Sequence, residues 1–107
     1  MSRFDKQAVL EKMGRTGMVP VFYHKDAAVA KQVVKACYDG GVRAFEFTNR
    51  GDFANEVFAE VVKYAAKECP EMAMGVGSVV DPATAALYIQ LGACFVVGPL
   101  LPAPFLF

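Results

Sequence analysis

Apolar positions along the chain follow two rhythms. Four short runs are rich in β-branched and aromatic residues: Met18–Tyr23, Arg43–Thr48, Met72–Val76 and Cys94–Val97. These read as strands. Between them the spacing changes to that of a helix. Ala30, Val33, Val34 and Cys37 recur at i, i+3, i+4, i+7, and Ala54, Val57, Phe58, Val61, Val62 and Ala65 continue the rhythm in the next segment. Asp26 is placed to cap the first of these helices, and Gly40-Gly41 to stop it. Pro70 ends the second. Asp81-Pro82 opens a third with the cap and the first-turn proline in favoured places, and it runs to Leu91 before Gly92. A leading helix is expected over Asp5–Met13, opened by Ser2 and closed by Gly14. Pro20 places the first run at an edge or near a strand start.

Strands alternating with helices of about a dozen residues mean βαβ units and a parallel sheet. The strand starts near Val19, Ala44, Met72 and Cys94 recur about every 25 residues, the length of one unit of a (β/α)8 barrel. A whole barrel takes about 200–250 residues. The expected fold class is therefore α/β, four βα units of a (β/α)8 TIM barrel, a half barrel behind a leading helix. Residues 1–99 form that unit, and residues 100–107 are an apolar tail with two prolines. An open flavodoxin-like sheet, with helices on both faces, is the alternative architecture.

Composition narrows the partners. Of 107 residues 55% are apolar, and eleven basic residues balance eleven acidic ones. That balance gives no electrostatic basis for nucleic acid or a membrane surface as partner. The apolar end of the uncharged C-terminal segment, Ala93–Phe107, is interrupted by Gly98, Pro99, Pro102 and Pro104, and is too short to span a bilayer. The opening Met-Ser-Arg-Phe-Asp-Lys lacks the apolar core of a signal peptide, so a cytoplasmic location is expected. Cys37, Cys69 and Cys94 are scattered and accompany a single histidine. Neither a disulfide framework nor a metal site is expected from them.

Chemistry in parallel α/β folds gathers at the carboxyl ends of strands. Here that selects His24 and Lys25, then Glu46, Thr48, Asn49 and Arg50, then Gly75, Gly77 and Ser78, then Gly98-Pro99. Glu46 is the informative residue. A carboxylate between Phe45 and Phe47 is costly unless it is paired or neutralised. It is either a general acid–base or one half of an ion pair with Arg43 or Arg50. Arg50, in turn, can pair with Glu46 or fork onto a substrate carboxylate or phosphate. Gly75-Val76-Gly77-Ser78 offers a tight turn whose N–H groups and hydroxyl suit an anion, although the dinucleotide fingerprint fails at Val80. His24 reads as a loop residue.

Several blocks together carry a resemblance: Val19-Pro20-Val21; Gly40-Gly41-Val42-Arg43 leading into Phe45-Glu46-Phe47-Thr48-Asn49-Arg50; Met74-Gly75-Val76-Gly77-Ser78-Val79; and Gly92 to Pro99. In order and spacing they resemble the first half of the 2-keto-3-deoxy-6-phosphogluconate/4-hydroxy-2-oxoglutarate (KDPG/KHG) aldolase family, over roughly residues 8 to 100. The resemblance implies a (β/α)8 barrel, usually trimeric, performing aldol cleavage to pyruvate through a Schiff base, with no cofactor or metal. It implies that Glu46 is the acid–base and that Arg50 holds the pyruvoyl carboxylate. Ser78 stands where the family commonly has threonine, with Thr48 and Gly77 beside it. The partner expected is a small 2-keto acid.

The family draws its Schiff-base lysine from a sixth strand, and this sequence contains four. The tail Leu100–Phe107 also departs from the family, which continues into an amphipathic helix. The sequence therefore reads as a truncated aldolase chain with impaired activity. Its open edges predict self-association into a homo-oligomer. The alternatives are a non-catalytic half-barrel scaffold and a small phosphate-binding domain using Gly77-Ser78.

Overall fold

A computed structural model describes residues 3–98. Helix α1 spans Lys6–Thr16, with the Asp5 carboxylate accepting a 2.8 Å hydrogen bond from the Ala8 N–H. Ser2 lies outside the described residues; within them, Asp5 performs the cap. The helix also runs through Gly14, where closure was expected. It stops at Gly17, whose left-handed φ of 65° turns its N–H onto the Met13 carbonyl. A glycine inside a helix costs about 1 kcal/mol, a smaller penalty than forgoing the last turn.

Strand β1 is short, Val21–Phe22, because Pro20 has no N–H for the ladder. Its carbonyl still accepts from the Glu46 N–H at 2.9 Å. Then follow α2 (Ala27–Asp39), β2 (Ala44–Thr48), α3 (Ala54–Glu68), β3 (Ala73–Gly77), α4 (Pro82–Gln90) and β4 (Phe95–Val97). Asp26 and Asp81 cap α2 and α4 as the sequence leads one to expect. Strand β3 begins and ends one residue later than its apolar run.

The four strands are parallel in the order β1-β2-β3-β4. That order never reverses, so the sheet lacks the switch point of an open doubly wound fold. Right-handed crossovers in one direction deliver successive helices to the same face. One core accordingly gathers Ala30 and Val34 of α2, Phe58 and Val61 of α3, and Ala85 and Tyr88 of α4. These pack over Phe45, Phe47, Met74 and Val76 of the sheet. The flavodoxin-like alternative requires a reversal in strand order, which these four strands do not show. Among the described residues no helix is long and apolar enough to cross a membrane.

Side chains alternate across a strand, so the opposite face carries the intervening residues. On β2 these are Ala44, Glu46 and Thr48; on β3, Ala73, Gly75 and Gly77; on β4, Phe95 and Val97. The register sets Glu46 beside Gly75 and Thr48 beside Gly77. The Phe95 ring lies directly over Gly75, in the space a side chain there would need. Val21 and Val97, on the two edge strands, are 60% and 40% exposed.

Gly75→Ala should therefore lower stability by about 1–2 kcal/mol, because the added methyl forces the Phe95 ring aside. Chemical denaturation checks this, and Gly75→Ala combined with Phe95→Ala should lose less than the two single costs together. Equal, additive losses would show that the ring does not occupy that space.

Candidate active site

Glu46 sits mid-strand, its N–H fixed by the Pro20 carbonyl and its Cα flanked by Val21 and Gly75. Its side chain reaches along the face opposite α2, α3 and α4 toward the carboxyl ends of the strands. A methyl group at Gly77 would lie 2.6 Å from Glu46 Oε2 and 3.0 Å from the Val97 Cβ. Glycine at 77 thus leaves the room that the carboxyl group fills.

No cation among the described residues meets that carboxyl group. Among the described residues Glu46 makes no ion pair within 4 Å. Arg43 is committed elsewhere: its guanidinium donates to the Tyr38 and Val42 carbonyls at 2.9 and 2.8 Å and lies 4.1 Å over the Tyr38 ring. Arg50 is exposed in the loop after β2 and leaves Glu46 unpaired. The ion-pair reading of Glu46 is set aside by this geometry. Burial instead pushes its carboxyl group above the ordinary carboxylate range.

The loops after β2 and β3 bring the remaining sequence candidates to the same end of the sheet. Thr48 pairs with Gly77 in the last rung of the ladder. Ser78 follows directly and is exposed, and Arg50 lies two residues beyond Thr48. The Asn49 N–H donates to the Gly77 carbonyl, and Asn49 Nδ2 donates to the Ser78 carbonyl at 3.2 Å. Glu46, Thr48 and Gly77 are in one neighbourhood, with Ser78 and Arg50 on its rim.

His24 and Lys25 lie after β1, in the turn that leads into α2. The His24 Nδ1 accepts from the Asp26 N–H at 2.9 Å, which makes the histidine part of the turn into α2. The three cysteines are unpaired thiols, and burial raises the Cys69 thiol pKa. One participant escaped sequence reasoning. Tyr88, on the buried side of α4, donates its hydroxyl to Asn49 Oδ1 at 2.8 Å. The signal was available, since a buried tyrosine hydroxyl requires a partner.

Comparison with known proteins identifies the family. The family model for KDPG and KHG aldolase matches residues 9–106. A KHG/KDPG aldolase of Escherichia coli (strain K12) is 36% identical over 89 residues, covering 83% of this chain and 40% of the relative. A 2-dehydro-3-deoxy-phosphogluconate aldolase of Dickeya dadantii (strain 3937) is 34% identical over 89 residues, with the same coverage of 83% and 40%. The crystal structure of a 2-keto-3-deoxy-6-phospho-gluconate aldolase from Zymomonas mobilis ATCC 29191 superposes with a TM-score of 0.68 at 30% identity. It covers 79% of this chain and 39% of that one. The chain belongs to the KDPG and KHG aldolase family. It spans about two fifths of the length of these relatives.

The raised Glu46 pKa has a sign for stability. Between the unfolded value, about 4.3, and the higher folded value, the folded chain holds more protons than the unfolded chain. Stability contributed by this group is therefore present at low pH and lost as pH rises through that window. Glu46→Gln should raise the thermal midpoint at pH 7.5 and change it little at pH 4. Thermal unfolding at both values checks this, and a Gln variant less stable at pH 7.5 would contradict it.

Proposed function

We propose that this chain supplies the proton-transfer and carboxylate-binding groups of a Schiff-base aldolase. The reaction cleaves a 2-keto-3-deoxy-6-phospho sugar acid or 4-hydroxy-2-oxoglutarate, reversibly, to pyruvate and an aldehyde. The observation that carries this reading is the half-buried Glu46 carboxyl group, unpaired and lying over Gly77 where the strands end. The names of the matched relatives support the substrate class.

Each residue then has a role that its chemistry suits. Glu46, its pKa raised by burial, gives and retakes a proton at the substrate carbonyl oxygen, and burial brings its pKa closer to working pH. Arg50 presents the planar fork that binds a carboxylate through two charge-assisted hydrogen bonds. The Ser78 hydroxyl and Thr48 complete that subsite, and Gly77 keeps it open. Cleavage of the C3–C4 bond sends its electron pair toward C2, so an iminium formed by a lysine amine at C2 is the electron sink. Every lysine in the chain except Lys25 lies on a helix. The family resemblance puts the Schiff-base amine on a sixth strand, so these four strands furnish the acid–base side of the centre.

In this reading the sheet is one half of a (β/α)8 barrel and its face opposite α2, α3 and α4 is the lumen. Unbroken strand order and the packing of α2, α3 and α4 in one core support it. Exposed Val21 and Val97 on the open edges favour a second reading, a self-associating scaffold of identical chains in which Glu46 has no ligand.

Pyruvate titration followed by amide NMR separates the two. The aldolase reading expects shifts confined to Thr48–Arg50 and Gly77–Ser78. It expects at least about tenfold weaker binding in Arg50→Ala, the cost of losing a charged bidentate contact, and none in Lys25→Ala. A defined oligomer in sedimentation with no pyruvate response would support the scaffold and sink the aldolase reading.

A further inference from the structure

The ladder between β2 and β3 ends at Thr48 and Gly77. Beyond that rung, Arg50 and Ser78 sit on separate loops. Their separation is set by whatever ties one loop to the other, and Asn49 is the residue that does so. Its backbone N–H donates to the Gly77 carbonyl, its Nδ2 to the Ser78 carbonyl at 3.2 Å, and its Oδ1 accepts from the Tyr88 hydroxyl at 2.8 Å.

The network fixes the orientation of the Asn49 amide. Reversed, it would set Oδ1 against the Ser78 carbonyl, two acceptors with no proton between them. Asn49 is itself exposed, so water competes for its amide. Tyr88 is not: it is 1% exposed, and its ring meets Phe58 edge-on with centroids 5.2 Å apart. A buried hydroxyl that loses its acceptor has no water to replace it, which makes this bond the anchored end of the clamp. The anchor continues through Phe58 to Phe47, in the same strand as Glu46.

We propose that Asn49 and Tyr88 form a positioning pair that sets the spacing between Arg50 and Ser78, and thereby the affinity of the site for a 2-keto acid carboxylate. The proposal rests on the aldolase reading above. Neither residue touches the substrate. Tyr88 acts from the helix side of the sheet on a subsite at its rim.

Tyr88→Phe keeps the ring against Phe58 and deletes only the hydrogen bond. The probe is pyruvate, read by amide NMR on the full chain. In Tyr88→Phe the Kd should rise about fivefold, and the Arg50 and Ser78 amides should shift or broaden even without ligand. Asn49→Ala should do the same. The double variant should be no worse than the weaker single, because the two residues act as one unit. A purely structural role predicts a lower thermal midpoint with Kd unchanged in the folded protein. Kd within twofold of wild type and unmoved Arg50 and Ser78 amides in Tyr88→Phe would overturn the proposal, whether or not Asn49→Ala folds. Moved amides in the variants with no pyruvate response in the wild type would overturn the aldolase reading, and with it the affinity claim, while upholding the clamp on the two loops.

Discussion

A carboxyl group without a cation, resting over a glycine backbone, is the constraint on which this structure turns. Glu46 can occupy its place because position 77 has no side chain and because α2, α3 and α4 pack on the other face of the sheet. The second condition follows from topology. Four parallel strands in unbroken order send every crossover the same way. One face becomes a dense apolar core, while the other keeps Glu46, Thr48 and two glycines. Partial burial then makes the charged form of Glu46 costly, and the same cost lifts the pKa of a proton-transfer group toward working pH.

The core and the site are mechanically one object. Tyr23, Phe47, Phe58 and Tyr88 form a run of ring contacts with centroids 5.5, 5.9 and 5.2 Å apart. The run begins beside β1, passes through the strand that bears Glu46 and ends at the hydroxyl that holds Asn49. Side chains in such a close-packed layer have little room to reorient. Loops are ordinarily the more variable part of a parallel fold. Here the two that carry Arg50 and Ser78 are tied to this aromatic layer through Asn49, while the charged and polar groups they present stay in solvent.

Much of this was legible in the sequence, for physical reasons that differ by element. The stripe Ala54, Phe58, Val61, Ala65 describes a helix packed on a sheet, and α3 buries those four residues. Asp26 and Asp81 are caps because a carboxylate at that point satisfies free helix N–H groups. The β2 run and Glu46 within it were readable because a lone charge between two phenylalanines is conspicuous. What was not legible depended on contacts distant in the chain. The partner of the Tyr88 hydroxyl is 39 residues away. That Arg43 would spend itself on Tyr38 and Val42, leaving Glu46 unpaired, is equally a tertiary fact. At α1 the local signal misled, since Gly14 and Gly17 are both plausible stops and only the backbone angles separate them.

The central claim is that Glu46 is an unpaired, partly desolvated acid facing a site for a 2-keto acid. A carbon-13 titration of its side-chain carboxyl by NMR, with and without pyruvate, tests this most directly. Glu46 should show a pKa above the ordinary glutamate range and a carboxyl resonance that moves on adding pyruvate. An ordinary pKa together with a resonance indifferent to pyruvate would contradict it.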